Sequence, residues 1–414
     1  MKRALVLLAV VLLGARPSDV PAHVPTAAYC CAGYGNDLVS PQQAAPYVSW
    51  AANPSAAGAA ADRAAGIEHV YEYIDTFRIY RGDHAFATLS RLSASSVLAH
   101  NCHGESVATT RPGYLASPFA PGTLQLFDDE LTYRYDPAYT AYFIDDVDDY
   151  KYGLQNGPPC VGEPPQMWRE PDTARAYAAL LRDARARVGG GTIAPPLIFN
   201  GLSDYAGVPE LHAVPLVLFD VSNVIGGMCE GCLGDNSPDK LAGGAEWRDD
   251  EDLELQTIRR RKIFWDYVRY IANQPAARLY TFASFMLTWH SRYTVYQTAY
   301  APNAAGGLHV TPETGIVARE PRKQIESVDA LRAEGGAYVR EYRACYYRGR
   351  PLGGCAFIVN SDANASLPRP RLEGDYRHTV VLSGGMVLEG GTVSVEGPPL
   401  PERLAPLSAA IAVR

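Results

Sequence analysis

Tyr142-Phe143-Ile144-Asp145-Asp146 and Ile225-Gly226-Gly227-Met228-Cys229-Glu230 are two short apolar runs, and each ends in a carboxylate. A strand buried on both faces has no reason to carry an acid unless the acid sits at its exposed end. In parallel α/β architectures, the C-terminal ends of the strands are where chemistry is placed. Working outward from these runs, the sequence predicts further strands over 68–75, 96–101, 196–200 and 278–287, with helices over 83–92, 171–188, 252–274 and 323–347. The helix at 171–188 has the clearest pattern. Ala174, Tyr177, Leu180, Leu181 and Ala184 recur at helical spacing, and Gly189-Gly190-Gly191 forms a stop. Strand–helix alternation of this length implies a parallel sheet with right-handed crossovers.

From Cys355 onward the pattern changes to short alternating runs separated by Gly-Gly and Pro-Pro pairs. This predicts a small antiparallel β-sandwich. The expected organisation is a leader over 1–22, a (β/α)8 barrel of the TIM type over 23–350 and the sandwich over 351–414. Length permits this, since such a barrel takes about 250 residues or more of the 414 present. The Ala/Gly/Pro-rich stretch 51–66 is the one segment whose composition points away from order.

The N-terminus has the layout of a secretory signal. Lys2 and Arg3 precede an apolar run over 4–14 that is too short to span a bilayer, and Val20-Pro21-Ala22 has small residues at cleavage spacing. An uncleaved anchor is the competing reading. Loss of 1–22 leaves 34 basic and 44 acidic side chains, a net charge of −10 against −8 for the whole chain. An acidic exported protein is a poor ligand for nucleic acid or anionic membrane. A secreted or cell-surface location, extracellular or periplasmic, is expected, with no membrane span after cleavage and a monomeric chain. The eight cysteines, Cys30, Cys31, Cys102, Cys160, Cys229, Cys232, Cys345 and Cys355, are even in number, so export makes disulfides the leading reading. Cys345 and Cys355 flank a turn-like Gly/Arg/Pro segment and are expected to pair. Cys229 and Cys232 have redox-motif spacing, but no paired CxxC or spaced His ligands point to a metal. No cofactor is expected.

Two acids from different strand ends suit hydrolysis of a glycosidic bond, in which one carboxylate stabilises or attacks a positively charged sugar and a second carboxyl protonates the leaving oxygen. Asp has the lower intrinsic pKa. Glu230 follows an apolar strand and a Cys, surroundings that would desolvate it. Asp145 is therefore the expected nucleophile and Glu230 the expected general acid/base. The competing readings are a solvated or calcium-binding acidic loop for Asp145, which is crowded by Asp146, Asp148 and Asp149, and an Arg-paired buried acid for Glu230. A one-residue change of strand register would make Asp146 the catalytic aspartate instead. Substrate-binding candidates are Asp75, Asn101, His103, Asp146, Asn200, Trp289 and His290. Each has a structural alternative: an Asp–Arg pair for Asp75, a cap or core role for His103, a turn with positive φ for Asn200 and core packing for Trp289. No Gly-x-Ser-x-Gly elbow, P-loop or HExxH occurs.

The ordered pieces Phe143-Ile144-Asp145-Asp146, Phe199-Asn200-Gly201, Gly227-Met228-Cys229-Glu230, Tyr338-Val339-Arg340-Glu341-Tyr342 and Phe357-Ile358-Val359-Asn360 resemble a broad set of bacterial hypothetical glycosyl hydrolases distantly related to the α-amylase-like barrels. The resemblance covers about residues 65 to 413 and implies a barrel glycosidase with a C-terminal sandwich, in which an earlier strand carries the Asp and a later one the Glu. The chain departs from the pattern in its cysteine-rich N-terminus and in Cys229-x-x-Cys232. The function expected is a secreted glycoside hydrolase acting on a poly- or oligosaccharide. The rival is a non-catalytic carbohydrate-binding or cell-surface protein that keeps the barrel, and carboxyl separation discriminates between the two. Sugar, linkage, stereochemical outcome and mode of cleavage stay open.

Overall fold

The structure is a computed structural model that describes residues 21–28, 40–75, 77–147, 153–234, 240–269, 274–299 and 308–414. The expected leader (apart from its last two residues), Cys30, Cys31, Asp148 and Asp149 lie outside the described residues. Eight strands, β1 (Ala27–Ala28), β2 (Trp50–Ala52), β3 (His69–Ile74), β4 (Ala141–Ile144), β5 (Leu197–Asn200), β6 (Gly226–Glu230), β7 (Ile263–Arg269) and β8 (Thr294–Ala299), form one parallel sheet in chain order. Thr26 bridges Tyr296 in parallel, and the Tyr296 N–H donates to the Pro25 carbonyl at 2.9 Å. The sheet therefore curls until its first strand meets its last, giving an α/β barrel without a long free edge. Besides a single helical turn at Pro41–Ala44, the helices among the described residues are α1 (Ala56–Ala64), α2 (His84–Leu89), α3 (Thr123–Arg134), α4 (Glu170–Arg187), α5 (Ala213–Ser222), α6 (Gly244–Arg259) and α7 (Pro275–Thr288). They lie in the crossovers between successive strands.

Successive strand side chains point to opposite faces, and this sorts the apolar residues into two layers. Trp50, Tyr71, Phe143, Ile198, Met228, Trp265 and Val295 fill the barrel interior as one cluster. Their neighbours Tyr142, Ile144, Leu197, Phe199, Cys229 and Phe264 face outward and pack with the helices. The same alternation carries the inward set upward to Tyr73, Asp145, Asn200, Glu230 and Tyr267 at the C-terminal strand ends.

Several expected elements are different. The span 51–66 holds the end of β2 and the whole of α1. The strand expected over 96–101 is a 3-10 turn at Ala94–Ser96 followed by a two-residue strand, His100–Asn101, which pairs with Pro159–Val161 outside the barrel. The helix expected over 252–274 ends at Arg259. Arg261 takes φ 58°, and the chain restarts as β7. The strand expected over 278–287 is α7, which is buried from Tyr280 to Thr288 and begins with Pro275 at its first turn. An all-round apolar run does not distinguish a strand from a buried helix by its period.

The helix expected over 323–347 is a 3-10 turn followed by a long strand. The antiparallel region therefore begins at Ile316 rather than at 351. It is built from β9 (Ile316–Pro321), β10 (Tyr338–Tyr347), β11 (Arg350–Asn360), β12 (His378–Thr379) and β13 (Ser408–Val413) in the order β9-β10-β11-β13-β12. One face of this sheet, with Tyr342, Phe357, Val359 and Ile411, packs on α7. The other, with Ile358, Ala410 and Ala412, packs under the short ribbon Leu367–Pro368/Arg403–Leu404. Cys345–Cys355 is closed across β10 and β11, and Cys102–Cys160 and Cys229–Cys232 are the other disulfides among the described residues. No helix among the described residues is long and apolar enough to cross a membrane.

Candidate active site

Asp145 follows the last residue of β4, and its N–H donates to the Ile74 carbonyl at 2.8 Å, which continues the strand pairing by one residue. Asn200 ends β5 and Glu230 ends β6. A single nitrogen joins them: Asn200 Nδ2 donates to Asp145 Oδ1 at 2.8 Å and to Glu230 Oε2 at 3.2 Å. The two carboxylate oxygens are therefore at most the sum of these distances, 6.0 Å, apart. If each takes one of the two amide hydrogens, whose directions diverge by about 120°, the separation is about 5 Å.

The residue after Asn200 makes this geometry available. Gly201 has φ 148°, and a Cβ there would lie 2.0 Å from the Val147 carbonyl oxygen. The Asn-Gly pair is thus a strand end followed by a glycine turn: Gly201 takes the conformation closed to other residues, and Asn200 keeps a strand conformation with its amide directed at the acids.

Tyr73 is the residue the sequence reading missed. Its hydroxyl donates to Asp145 Oδ2. Burial, then the charges of Asp145 and Asp75, hold its phenol well above the ordinary tyrosine range, so it remains a donor. The signal was the alternation Tyr71, Tyr73, Asp75 along one face of β3. Asp75 lies just past that strand. Its Oδ1 accepts from the Arg78 N–H at 3.2 Å, and burial together with the charge of Asp145 pushes its carboxyl well above the usual range. Tyr267 on β7 is in register with Glu230.

Asp145 and Asp146 are separated by the backbone. Asp146 has φ 54°, which turns its side chain away from the strand, and its carboxylate pairs with Arg78 Nε at 2.8 Å, with 9% and 16% of the two side chains exposed. Of the two neighbours, Asp145 reaches Asn200 and Asp146 reaches an arginine.

The remaining candidates are elsewhere. Asn101 is consumed by its own loop: Nδ2 donates to Glu105 Oε2 and the Asn156 carbonyl, while Oδ1 accepts the N–H groups of His103 and Glu105. His103 is exposed in that turn, beside the disulfide-bonded Cys102. Trp289 and His290 do not follow a strand. They follow α7 and precede β8, at the N-terminal end of the barrel, opposite the acids. Trp289 is 7% exposed in the core beneath the C-terminal sheet, edge-on to Tyr342. Its placement among the sugar-binding residues is therefore corrected to core packing, and His290 shares that remote end.

No family model matches the chain, and no curated protein matches it. Among solved structures it is similar to the glycoside hydrolase domain of PelA from Pseudomonas aeruginosa, with 15% identity over 69% of this chain and 97% of that one and a TM-score of 0.42. It is also similar to a GH27 β-L-arabinopyranosidase from Geobacillus stearothermophilus, at 9% identity over 86% and 75% with a TM-score of 0.40. A third is a cyclic α-maltosyl-(1→6)-maltose hydrolase from Arthrobacter globiformis, at 12% over 87% and 78% with a TM-score of 0.42.

Proposed function

We propose that the chain is an exported glycoside hydrolase in which Asp145 is the nucleophile and Glu230 the general acid/base. The observation that carries the reading is the single amide of Asn200 shared by the two acids. Retaining glycosidases hold their carboxyls about 5–5.5 Å apart, and inverting ones about 6.5–9.5 Å apart to admit a water. The 6.0 Å ceiling on the bridged oxygens favours retention.

In the first step Asp145 attacks the anomeric carbon while Glu230 gives its proton to the departing glycosidic oxygen. In the second, Glu230 accepts a proton from water, which displaces Asp145 and releases the sugar. The Tyr73 hydroxyl fixes the orientation of Asp145, and the Asn200 amide keeps the two carboxyls in register. The three disulfides among the described residues fit an oxidising compartment outside the cytosol. An apposed pair of acids is chemistry that a purely binding protein does not need, so the non-catalytic reading is the weaker one.

Screening the purified chain against a panel of poly- and oligosaccharides tests the proposal. On any substrate that is cleaved, Asp145→Asn and Glu230→Gln should each lower kcat by about 10³-fold or more with the melting curve preserved. Full activity in both variants would overturn it.

A further inference from the structure

Glu230 is enclosed by a covalent ring. Cys229, one residue before it on β6, is joined to Cys232, two residues after it, so the candidate acid and Gly231 are the only residues inside the loop. Both cysteines face the buried layer between barrel and helices, at 0% and 7% exposure, while Glu230 alternates to the barrel mouth. Gly231 takes φ 83°, and its N–H donates to the Tyr267 carbonyl at 2.7 Å, which ties the turn to the next strand.

A cross-link between residues three apart constrains an unfolded chain far less than one spanning 58 positions, as Cys102–Cys160 does. Global stability is therefore the weaker explanation for its presence. Its local effect is large: it fixes the backbone on both sides of one carboxyl, anchored in the core on the face opposite that carboxyl. Displacement of a reacting group by about 1 Å is enough to cost about 100-fold in rate.

We infer that Cys229–Cys232 is a positioning device for Glu230, so that the site is complete only after oxidation. The inference rests on the reading of Glu230 as a functional acid. Opening the bond takes a dithiol. The S–S bond breaks, the two cysteines become thiols by gaining two electrons and two protons, and the dithiol closes to its own disulfide.

The test compares the oxidised chain, the chain reduced with dithiothreitol and the Cys229→Ser/Cys232→Ser variant, with Cys345→Ser/Cys355→Ser as a control and alkylation mapping to show which bonds are open. On a cleaved glycan, opening Cys229–Cys232 should lower kcat by about tenfold or more with KM within about twofold, and reoxidation should restore it. The control should leave kcat unchanged. Amide exchange over 229–234 should accelerate by about tenfold while that of β5 stays as it was. Exchange and kcat both unmoved with the bond shown open would overturn the inference. If the double variant does not fold, reduction of the folded chain gives the same comparison. If no glycan is cleaved by the oxidised chain, the glycosidase reading fails on its own, and exchange alone decides whether the bond holds Glu230.

Discussion

Asp145 and Glu230 come from strand ends that are not adjacent in the sheet, and Asn200, on the strand between them, closes the gap. Inward-facing residues at the ends of β4, β5 and β6 thus form one polar row above an apolar interior. The position of each is set by strand alternation, and their convergence by the curl of the sheet.

Tyr73→Phe removes one donor from Asp145 and leaves the ring in place. The carboxylate then loses the contact that fixes its orientation. kcat should fall by about tenfold with KM within about twofold. Steady-state kinetics on any cleaved glycan check both. An unchanged kcat would remove Tyr73 from the site.

Asp146→Asn should behave unlike Asp145→Asn. It removes one charge partner from Arg78, whose side chain is only 9% exposed and which also interacts with Asp75. Loss of a hydrogen bond between charged groups costs about 1.5–3 kcal/mol. The expected result is a lowered denaturation midpoint with turnover kept within about tenfold of the parent. Abolished turnover with unchanged stability would make Asp146 the catalytic residue.

Trp289→Ala should act on the fold alone. The indole is 7% exposed and packs edge-on to Tyr342, and truncation of a buried aromatic costs about 3–5 kcal/mol. Urea unfolding should show the loss, and KM for any substrate should stay as it was. A raised KM at full stability would return Trp289 to the list of sugar contacts.

A layer of buried acids makes stability depend on pH. Asp250, Glu251 and Glu254 on α6 and the outward-facing Asp266 on β7 are almost fully buried. Burial raises all four pKa values, that of Asp266 to about 8. Between the unfolded carboxyl range near pH 4 and that value, the folded chain binds more protons than the unfolded one, so stability falls as pH rises. The melting temperature should be several degrees, about 5 °C, higher at pH 5 than at pH 8.5. Asp266→Asn should flatten the slope. A melting temperature that rises over this interval would show that these acids are ionised in the folded state.

The sequence by itself carried the local order: strand-end acids at Asp145 and Glu230, the helix expected over 171–188 and found at Glu170–Arg187, a parallel core and a β-rich tail. These follow from short-range periodicity and from the placement of charge at the ends of apolar runs. Where periodicity was silent, the reading failed. α7 is apolar on all sides because the barrel and the C-terminal sheet both cover it, so nothing in its pattern separates helix from strand. β10 alternates buried and half-buried residues through a Tyr- and Arg-rich stretch that also supports a helical count. Tertiary structure alone decided which of two adjacent aspartates faces the site, because that depends on a positive φ at Asp146 and on Arg78 arriving from the short strand Arg78–Tyr80. It also decided that Trp289 belongs to the core and that Tyr73 and Asn200 join the acids. Proximity between strand ends is a property of barrel curvature and register, and no window of sequence contains it.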